Sequence, residues 1–430
     1  MRADVAVIGG GAAGIAAAVS AARAGARVAL IDRNGMLGGQ ASGAMVHSIC
    51  GLYLLREDET LPPQPANHGF PMEFANGLIA MGGARGPVRM GRLDVLLHEP
   101  EAVAILADRL CAGLPGLEVR LHTEIFAVES ESDRLLLRLS SRGRQEELVA
   151  GSVVDATGDA EVAALAGAAC AQSERLQRPA YIFKLAGVDP QAMTADGRIR
   201  VAQMLSASVA EGTLPASVLG TTFRLGVAEQ EVWATTDLAA EGFDPFDSRW
   251  LSAIEREGRD IASQILCFLR EAVPEFRRAT VAAFPGRAGL RESRRIFGQY
   301  ELTADDVRRG AEFADAIAQS AWPMEFRETH TGPKFRFPLE NRPCGIPLRS
   351  LRSRSVPGLF MAGRCISCSH DAQAAIRVIG TCLATGEAAG KAAGRNAGRN
   401  GEASSSEPCA DGSEGFSLAK KTVHTGLASG

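Results

Sequence analysis

Apolar and polar positions at the start of the chain form three short patterns. Asp4–Ile8 is an apolar run, Ile15–Ala24 is rich in alanine with helical spacing, and Arg27–Ile31 is a second apolar run. Two short apolar runs joined by a glycine-rich turn and a helical segment are typical of a β–α–β unit. The pattern therefore predicts that the chain begins with a parallel, doubly wound sheet.

Further along the chain, strand-like and helix-like stretches alternate. Glu99–Cys111 repeats apolar positions at helical spacing, and Leu117–Asp155 alternates as strands do. Between Arg178 and Phe284, two strand-like stretches precede a long helical pattern near Ser252–Leu269. We interpret this middle region as a separate domain on the substrate side of the protein.

These patterns predict an α/β fold with two domains. A Rossmann-like domain with a parallel sheet is expected to be discontinuous, over residues 1–175 and 285–394. An α+β substrate domain with a mainly antiparallel sheet is expected over residues 176–284. Residues 395–430 are rich in glycine, serine and glutamate, and we expect them to form a flexible tail.

Composition and charge exclude some classes of protein. Hydrophobic residues make up 46% of the 430 residues and charged residues 22%, as in ordinary globular proteins. The net charge of −4 provides no basic field for nucleic acid. Long apolar runs are interrupted by glycine or charge, so no membrane segment is expected. The nine scattered cysteines and the absence of a secretory signal favour a reducing, cytoplasmic location.

A glycine-rich turn follows the first predicted strand. Its sequence fits G-x-G-x-x-G, and its residues are Gly9, Gly11, Ala12, Ala13 and Gly14. Glycines at this spacing allow a tight turn and bring a pyrophosphate close to the backbone at the N-terminus of a helix. At the end of the second predicted strand stands an acid, Asp32, which can accept hydrogen bonds from ribose hydroxyls. The combination predicts a dinucleotide site.

The sequence after the acid favours FAD over NAD as the bound dinucleotide. The chain has a single such glycine fingerprint, whereas a flavoenzyme with its own nicotinamide domain usually has two. A second glycine pair, which allows close approach to a flat ring system, follows the acid within GMLGGQASG. The further candidate cofactor residues here are Arg33, Gly38, Gly39, Gln40 and Ser42.

Four later motifs resemble a known group of flavoenzymes. They are VDATGDAEVAALAG (154–167), RESRRIFGQYELTADDV (291–307), GIPLRSL (345–351) and GLFMAGRCIS (358–367). With these motifs, residues 3–393 resemble the FAD-dependent oxidoreductases of the glutathione-reductase-like superfamily. The resemblance implies that the discontinuous Rossmann-like domain is an FAD-binding domain.

The resemblance also implies positions for the cofactor. The turn Ala156–Thr157–Gly158 would pass the FAD phosphates and adenine, and Phe126 or its neighbour Ile125 would contact the adenine through the backbone. Where the chain returns to the cofactor, Gly363 and Arg364 would lie near the ribityl chain. A helix that includes Ile376 would point its N-terminus at the flavin pyrimidine ring, where its dipole stabilises negative charge.

Two cysteines and a histidine in this returning segment allow three interpretations. Cys365, Cys368 and His370 resemble part of a metal site or a redox dithiol. A zinc site needs about four ligands in paired clusters, and no second pair is present in the sequence. We therefore favour packing beside the cofactor, with a redox dithiol second and no metal expected.

Candidate reactive residues come from segments expected to face the flavin. His47 and His370 are the candidates for general acid–base chemistry, and Arg291 is a third catalytic candidate. Candidate substrate contacts are Cys50, Tyr53 and His330. For each histidine, a hydrogen-bonded structural role is the competing interpretation.

We expect an oxidoreductase. The favoured hypothesis is a single-component monooxygenase, in which NAD(P)H binds transiently and a flavin C4a-hydroperoxide hydroxylates a small-molecule or peptide-borne aromatic substrate, such as a protein-bound tryptophan. The alternative is a dehydrogenase or reductase that moves hydride at flavin N5 without oxygen insertion. A third hypothesis is a non-catalytic FAD-binding protein whose tail recruits a partner. These patterns contain no determinant of the choice between NADH and NADPH, or of the oligomeric state.

Overall fold

A computed structural model of the chain describes residues 1–131, 133–228, 231–239 and 241–403. The strands are β1 Arg2–Ile8, β2 Val28–Ile31, β3 Ser48–Ile49, β4 Ala84–Met90, β5 Leu93–His98, β6 Leu117–Arg120, β7 Glu124–Ser130, β8 Leu135–Ser141, β9 Arg144–Asp155, β10 Cys170–Gln172, β11 Ala180–Ala186, β12 Thr222–Leu225, β13 Glu231–Asp237, β14 Thr280–Ala283, β15 Arg294–Ile296, β16 Ala316–Ser320, β17 Met324–Phe326, β18 Lys334–Arg336, β19 Cys344–Pro347 and β20 Leu359–Met361. The helices are α1 Ala12–Arg23, α2 Phe70–Ala80, α3 Pro100–Ala112, α4 Glu161–Leu165, α5 Ala195–Ala210, α6 Ser248–Ala272, α7 Ala304–Arg309, α8 His370–Ile376 and α9 Ile379–Ala403.

The largest sheet has seven strands and a parallel core. Its order is β6-β2-β1-β9-β8-β7, and β20 also pairs with β9 in parallel. The strands β6, β2, β1 and β9 run parallel, whereas β8 and β7 are antiparallel additions. Strand β1 is the centre, with Val5, Ala6 and Val7 fully buried. This arrangement confirms the predicted Rossmann-like fold.

A second sheet lies within the predicted substrate domain. Its order is β12-β13-β11-β14, and every pairing in it is antiparallel. It has a separate apolar core that includes Phe183, Phe276 and Ile265 of helix α6. The predicted mainly antiparallel sheet is therefore present. A smaller antiparallel sheet, β3-β5-β4, is additional to the predicted elements.

Helix α9 extends beyond the predicted end of the first domain. It runs to Ala403, so residues 395–403, predicted as the start of the tail, are helical instead. Local helix propensity does not explain this extension, because residues 395–403 contain two glycines and two asparagines, which are weak helix formers, beside two alanines. The rest of the predicted tail, including the part expected to recruit a partner, lies outside the described residues.

Small residues bring helices α1 and α9 into close contact. A methyl group added at Gly386 would lie 2.1 Å from the carbonyl oxygen of Ala13, and one added at Gly390 would lie 2.1 Å from that of Ala17. Helix α1, which follows the glycine-rich turn, is therefore held in place by helix α9. Helix α9 can approach so closely only because its glycines have no side chains.

This contact predicts different effects for two glycines of the same helix. Replacing Gly390 by alanine forces the helices apart and should lower the free energy of unfolding by about 1–3 kcal/mol. At Gly394 the nearest atom to an added methyl group is 3.9 Å away, an ordinary contact. Gly394→Ala should therefore be neutral or stabilising by up to about 1 kcal/mol, through helix propensity. Urea unfolding measures the free energy of unfolding of both variants, and equal changes in the two would contradict this account of the packing.

Among the described residues, no helix is both long enough and apolar enough to cross a membrane.

Candidate active site

One cavity of about 610 Å³ lies between the two large sheets. On one side it is lined by the end of β1, the glycine turn and the start of α1. On the other side it is lined by residues of β11, β12 and β13, including Ile182, Arg224 and Thr235. The carboxyl end of a parallel sheet, facing a second domain, is where α/β folds bind ligands.

The glycine turn packs so closely that side chains are excluded. Gly9 has a φ of +100°, and a methyl group on it would lie 2.5 Å from the carbonyl oxygen of Ala156. A methyl group on Gly14 would lie 1.7 Å from the carbonyl oxygen of Gly9. Gly11, Ala12 and Ala13 line the cavity, whereas Gly14 serves the packing beneath. The first-turn N–H groups of α1, which have no partners within the helix, face an anion site.

The carboxylate of Asp32 is fixed at the edge of this turn. It accepts hydrogen bonds from the backbone N–H of Gly10 at 2.5 Å and from the backbone and side chain of Asn34, both at 2.7 Å. The side chain is buried, yet it lines the cavity. An oriented carboxylate in this position can accept hydrogen bonds from a ribose, as predicted.

The second glycine pair lies against the first. The N–H of Gly38 donates to the carbonyl oxygen of Gly10 at 2.8 Å, and a methyl group on Gly39 would lie 2.7 Å from the Cα of Gly11. Gly39 and Gln40 line the cavity. Ser42 does not, because its hydroxyl donates to the carbonyl oxygen of Leu37 at 2.7 Å and holds the loop.

An arginine that the sequence analysis missed faces this phosphate side. Arg287 lines the cavity close to the second glycine pair, 3.9 Å from where a methyl group on Gly39 would lie. Its Nε is buried and has no hydrogen-bond partner among the described residues. Burial lowers the pKa of this guanidinium, with a further contribution from nearby Arg33. An unsatisfied guanidinium beside a helix N-terminus fits the pyrophosphate of a dinucleotide.

Arg364 joins three segments at the cavity wall. Its Nε donates to the carbonyl oxygen of Gly158 at 2.8 Å, and its Nη2 lies 2.5 Å from the carboxylate of Asp159. Its Nη1 donates to the carbonyl oxygen of Leu290. The residue therefore holds the DATGDA turn, the segment before β15 and the segment after β20 together, while it also lines the cavity.

The helix expected near the flavin is broken into two. Helix α8 ends at Ile376, and α9 begins at Ile379 after a break at Arg377 and Val378. Ile376 is buried and does not line the cavity, whereas Arg377, Val378 and Ile379 do. The N-terminus at the cavity is therefore that of α9, and Ile376, predicted as a cofactor contact, is not among the residues that line the cavity.

Most of the predicted site residues line this one cavity. Those that do are Gly9, Gly11, Ala12, Ala13, Asp32, Arg33, Gly38, Gly39, Gln40, His47, Cys50, Ala156, Thr157, Gly158, Arg291, Gly363 and Arg364. Those that do not are Gly14, Ser42, Tyr53, Phe126, His330, His370 and Ile376. Of the two neighbours predicted to contact the adenine through the backbone, Ile125 lines the cavity, whereas the side chain of Phe126 is 41% exposed.

His370 belongs to a polar network outside the cavity. Its Nδ1 lies 2.8 Å from the carboxylate of Glu292, and its Nε2 lies 3.1 Å from that of Glu328. Arg295 also donates to Glu292, at 2.6 Å. The hydrogen bond to Glu292 raises the pKa of His370. Its position outside the cavity lining and its two carboxylate partners favour the structural role of His370, the interpretation that competes with a general acid or base beside the ring.

This network predicts a pH dependence of stability. Because the pKa of His370 is raised in the folded state from 6.5, its contribution is complete below that value and is lost as the pH rises through the folded pKa. His370→Gln should therefore cost more stability at about pH 6 than at about pH 9 in urea unfolding. The exposed His68 provides the control, and His68→Gln should change little at either pH. A cost of His370→Gln that does not vary with pH would contradict the prediction.

His47 lines the cavity and has no polar partner. Its ring stacks on Trp233, with 4.9 Å between the centroids, and both side chains are buried. Neither ring nitrogen has a hydrogen bond to a described residue. Burial, with nearby Arg224, holds the pKa of His47 well below its usual value. The imidazole is therefore neutral at physiological pH, and it can accept or donate a hydrogen bond.

The two cysteines of the returning segment are buried. The thiol of Cys365 donates to the carbonyl oxygen of Ala362 at 3.5 Å, and that of Cys368 donates to the carbonyl oxygen of Ile366 at 3.4 Å. Burial raises the pKa of Cys368 to about 12 and that of Cys365 well above its ordinary value. Both are therefore thiols rather than the thiolates that redox exchange needs, which supports the packing interpretation.

Comparison with known proteins places the chain in a family. A family described as FAD dependent oxidoreductase matches residues 4–403, and the chain belongs to this family. Similar solved structures include p-nitrophenol 4-monooxygenase from Pseudomonas putida, with 12% identity over 69% of this chain and 70% of that chain and a TM-score of 0.41. A geranylgeranyl bacteriochlorophyll reductase-like protein from Thermoplasma acidophilum has 15% identity over 94% and 79%, with a TM-score of 0.44. A flavoprotein/dehydrogenase from Cytophaga hutchinsonii has 13% identity over 92% and 78%, with a TM-score of 0.43. Similarities this low do not identify the reaction.

The residues of the cavity fit FAD. The oriented carboxylate of Asp32 suits a ribose, and the start of α1 with the unsatisfied Nε of Arg287 suits the pyrophosphate. Gly363, which follows β20, and Ile379, the first residue of α9, line another part of the cavity wall. The helix dipole of α9, at Ile379, can stabilise negative charge there. The chain is thus an FAD-dependent oxidoreductase by family and by the fit of its cavity.

Proposed function

We propose that the protein is a single-component flavin monooxygenase that hydroxylates an aromatic substrate. The observation that carries the proposal is the continuity of the cavity between the dinucleotide side and an apolar wall. Leu93, Trp322 and Val378 form one buried apolar cluster on that wall, and Val46 packs with Ile182 in another. A flat apolar ring fits between such surfaces, and its contact with them excludes water.

In this proposal the side chains bind and orient rather than react. Bound FAD supplies two-electron redox chemistry between a nicotinamide and molecular oxygen. Glu325 stays ionised because nearby arginines, Arg327 first, overcome its burial and hold its pKa at about 2. Cys50 stays a thiol because burial raises its pKa to about 11. The apolar wall and these fixed charges set where the substrate ring lies.

The reductant in this proposal is NADH or NADPH, bound only during reduction. The one glycine fingerprint of the sequence serves FAD, so the nicotinamide would have no dedicated Rossmann site. Mixing the holoenzyme anaerobically with each nicotinamide should bleach the flavin absorbance with at least one of them. Failure of both, while dithionite still bleaches the flavin, would remove NAD(P)H from the proposal.

Oxygen labelling tests the proposed reaction. The reduced holoenzyme is mixed with ¹⁸O-labelled dioxygen and a panel of phenols, indoles and hydroxybenzoates, and the products are analysed by mass spectrometry. The proposal expects a product that contains one labelled oxygen atom. An oxidised product that never contains the label, formed with the same flavin turnover, would overturn it.

A dehydrogenase is the second candidate, and His47 favours it. Its neutral imidazole lies at the cavity wall with neither ring nitrogen hydrogen-bonded to a described residue, so it can accept a hydrogen bond from the hydroxyl or amino group of a substrate that gives up hydride. In this case a substrate should bleach the flavin without oxygen. If ¹⁸O from dioxygen enters the product in air, and the substrate does not bleach the flavin without oxygen, the monooxygenase is favoured over the dehydrogenase.

A further inference from the structure

The apolar end of the cavity contains more positive than negative charge. Four arginines that are at least partly buried line it, Arg224, Arg291, Arg327 and Arg377, and the exposed Arg198 lines it as well. Two carboxylates lie among the first four, Asp237 and Glu325. Asp237 pairs with Arg291 at 2.8 Å and with Arg327 at 3.2 Å, and Glu325 pairs with Arg327 at 2.9 Å. The four arginines and two carboxylates therefore leave an excess of two positive charges, to which Arg198 adds a third.

Among the first four arginines, the excess charge is on two side chains. The Nη2 of Arg377 donates to the backbone carbonyl oxygen of Glu325 at 3.1 Å, and its Nε is buried with no hydrogen-bond partner among the described residues. The guanidinium of Arg224 has no hydrogen bond or ion pair to a described residue, and Glu325 is the carboxylate that acts on it electrostatically. Burying a guanidinium without a partner is costly. A bound anion would supply the missing hydrogen bonds.

We propose that Arg224 and Arg377 bind a carboxylate group of the substrate, so that the substrate is an aromatic carboxylate. This inference rests on the proposed function, because it names the substrate class of the same cavity. The planar fork of a guanidinium matches a carboxylate with two parallel hydrogen bonds. The apolar wall that includes Trp322 and Val378 accommodates the ring to which the carboxylate is attached.

The electrostatics of the two arginines agree with this assignment. Burial lowers the pKa of Arg377 to about 10, although Glu325 partly opposes the change. Burial also lowers the pKa of Arg224. Both side chains remain protonated at neutral pH, and a carboxylate beside them would raise both pKa values again.

The test uses benzoate as the anionic probe and benzamide as its neutral analogue. Each is titrated into the holoenzyme, and binding is measured from the change in the flavin spectrum and by calorimetry. Benzoate should bind at least about tenfold more tightly than benzamide. Arg377→Met should weaken benzoate binding at least about tenfold while leaving benzamide binding unchanged. Arg377→Lys keeps the charge but not the planar fork, so its benzoate affinity should lie between those of the parent protein and Arg377→Met.

Two further variants keep the test decisive. Arg224→Met provides the same comparison if Arg377→Met fails to fold, as judged from FAD content and thermal unfolding. Arg256→Met, on the exposed face of α6, is the matched control and should change neither probe. Equal affinities for benzoate and benzamide, or benzoate binding that survives both Arg377→Met and Arg224→Met, would overturn the inference.

The outcomes also separate this inference from the proposed function. If benzoate binding depends on Arg377 but no substrate incorporates labelled oxygen, the carboxylate site stands and the monooxygenase proposal fails. If labelled oxygen enters neutral aromatic substrates and their kcat/KM is unchanged in Arg377→Met, the monooxygenase stands and the carboxylate site fails.

Discussion

A methyl group at Gly14 should abolish FAD binding. In Gly14→Ala the new carbon would lie 1.7 Å from the carbonyl oxygen of Gly9 and 2.9 Å from its carbonyl carbon, so the phosphate turn must move away from α1. Overpacking of this kind costs about 1–3 kcal/mol or more in stability. The same movement displaces the N–H groups at the helix N-terminus that suit the pyrophosphate. After incubation with FAD, almost no flavin should be extracted from the Gly14→Ala protein. Urea unfolding measures the accompanying loss in the free energy of unfolding.

The matched control is Gly113→Ala, at the end of α3. There the nearest atom to an added methyl group is the carbonyl oxygen of Arg109, 3.6 Å away, which is an ordinary contact. This variant should retain the FAD content of the parent. Full FAD content in Gly14→Ala, measured beside the same control, would contradict the role given to the glycine turn.

Arg364→Met should destabilise the protein by about 3–5 kcal/mol, the range for breaking a buried ion pair. The side chain of Arg364 is 10% exposed and that of its partner Asp159 16%. The substitution leaves that carboxylate with a weaker set of partners and frees the carbonyl oxygens of Gly158 and Leu290. Because three chain segments at the cavity wall lose their connection, FAD affinity should fall as well. Urea unfolding and FAD titration measure the two effects.

An exposed ion pair provides the comparison. Arg349 pairs with Asp315 at 3.0 Å, and these side chains are 49% and 35% exposed. Arg349→Met should cost no more than about 1 kcal/mol, because water screens such pairs. If the two substitutions had equal costs, the structural role of Arg364 would be wrong.

The cofactor side of the site could be predicted because its signals are local. Gly9, Gly11 and Asp32 stand at fixed separations within one β–α–β unit, and the geometry of that unit brings them together whatever the rest of the chain does. The alternation of apolar positions likewise predicted the parallel sheet and the antiparallel middle sheet. These predictions needed only contacts between neighbouring elements.

Two predicted site residues lie away from the cavity lining for different physical reasons. The break between α8 and α9 places Ile379, rather than Ile376, at the cavity. His370 lies in a polar network because its partners, Glu292 and Glu328, come from segments far away in the sequence. A histidine's role depends on such tertiary contacts, which spacing along the chain does not reveal.

Two arginines of the substrate side, Arg224 and Arg377, were missed for the same reason. Arg224 comes from the second sheet, and Arg377 lies between two helices. Each looks like an ordinary surface residue in its own segment. Arg327, by contrast, lies in the segment that continues from Trp322 to His330, which the sequence already indicates as a candidate for the substrate side.

A crystal structure of the protein with FAD and benzoate tests the central claim most directly, namely that one cavity holds the cofactor on one side and an anionic aromatic on the other. The account predicts the ribose at Asp32, the pyrophosphate at the start of α1 beside Arg287, and the benzoate carboxylate on Arg224 and Arg377. FAD outside this cavity, or a benzoate whose carboxylate points away from both arginines, would contradict it.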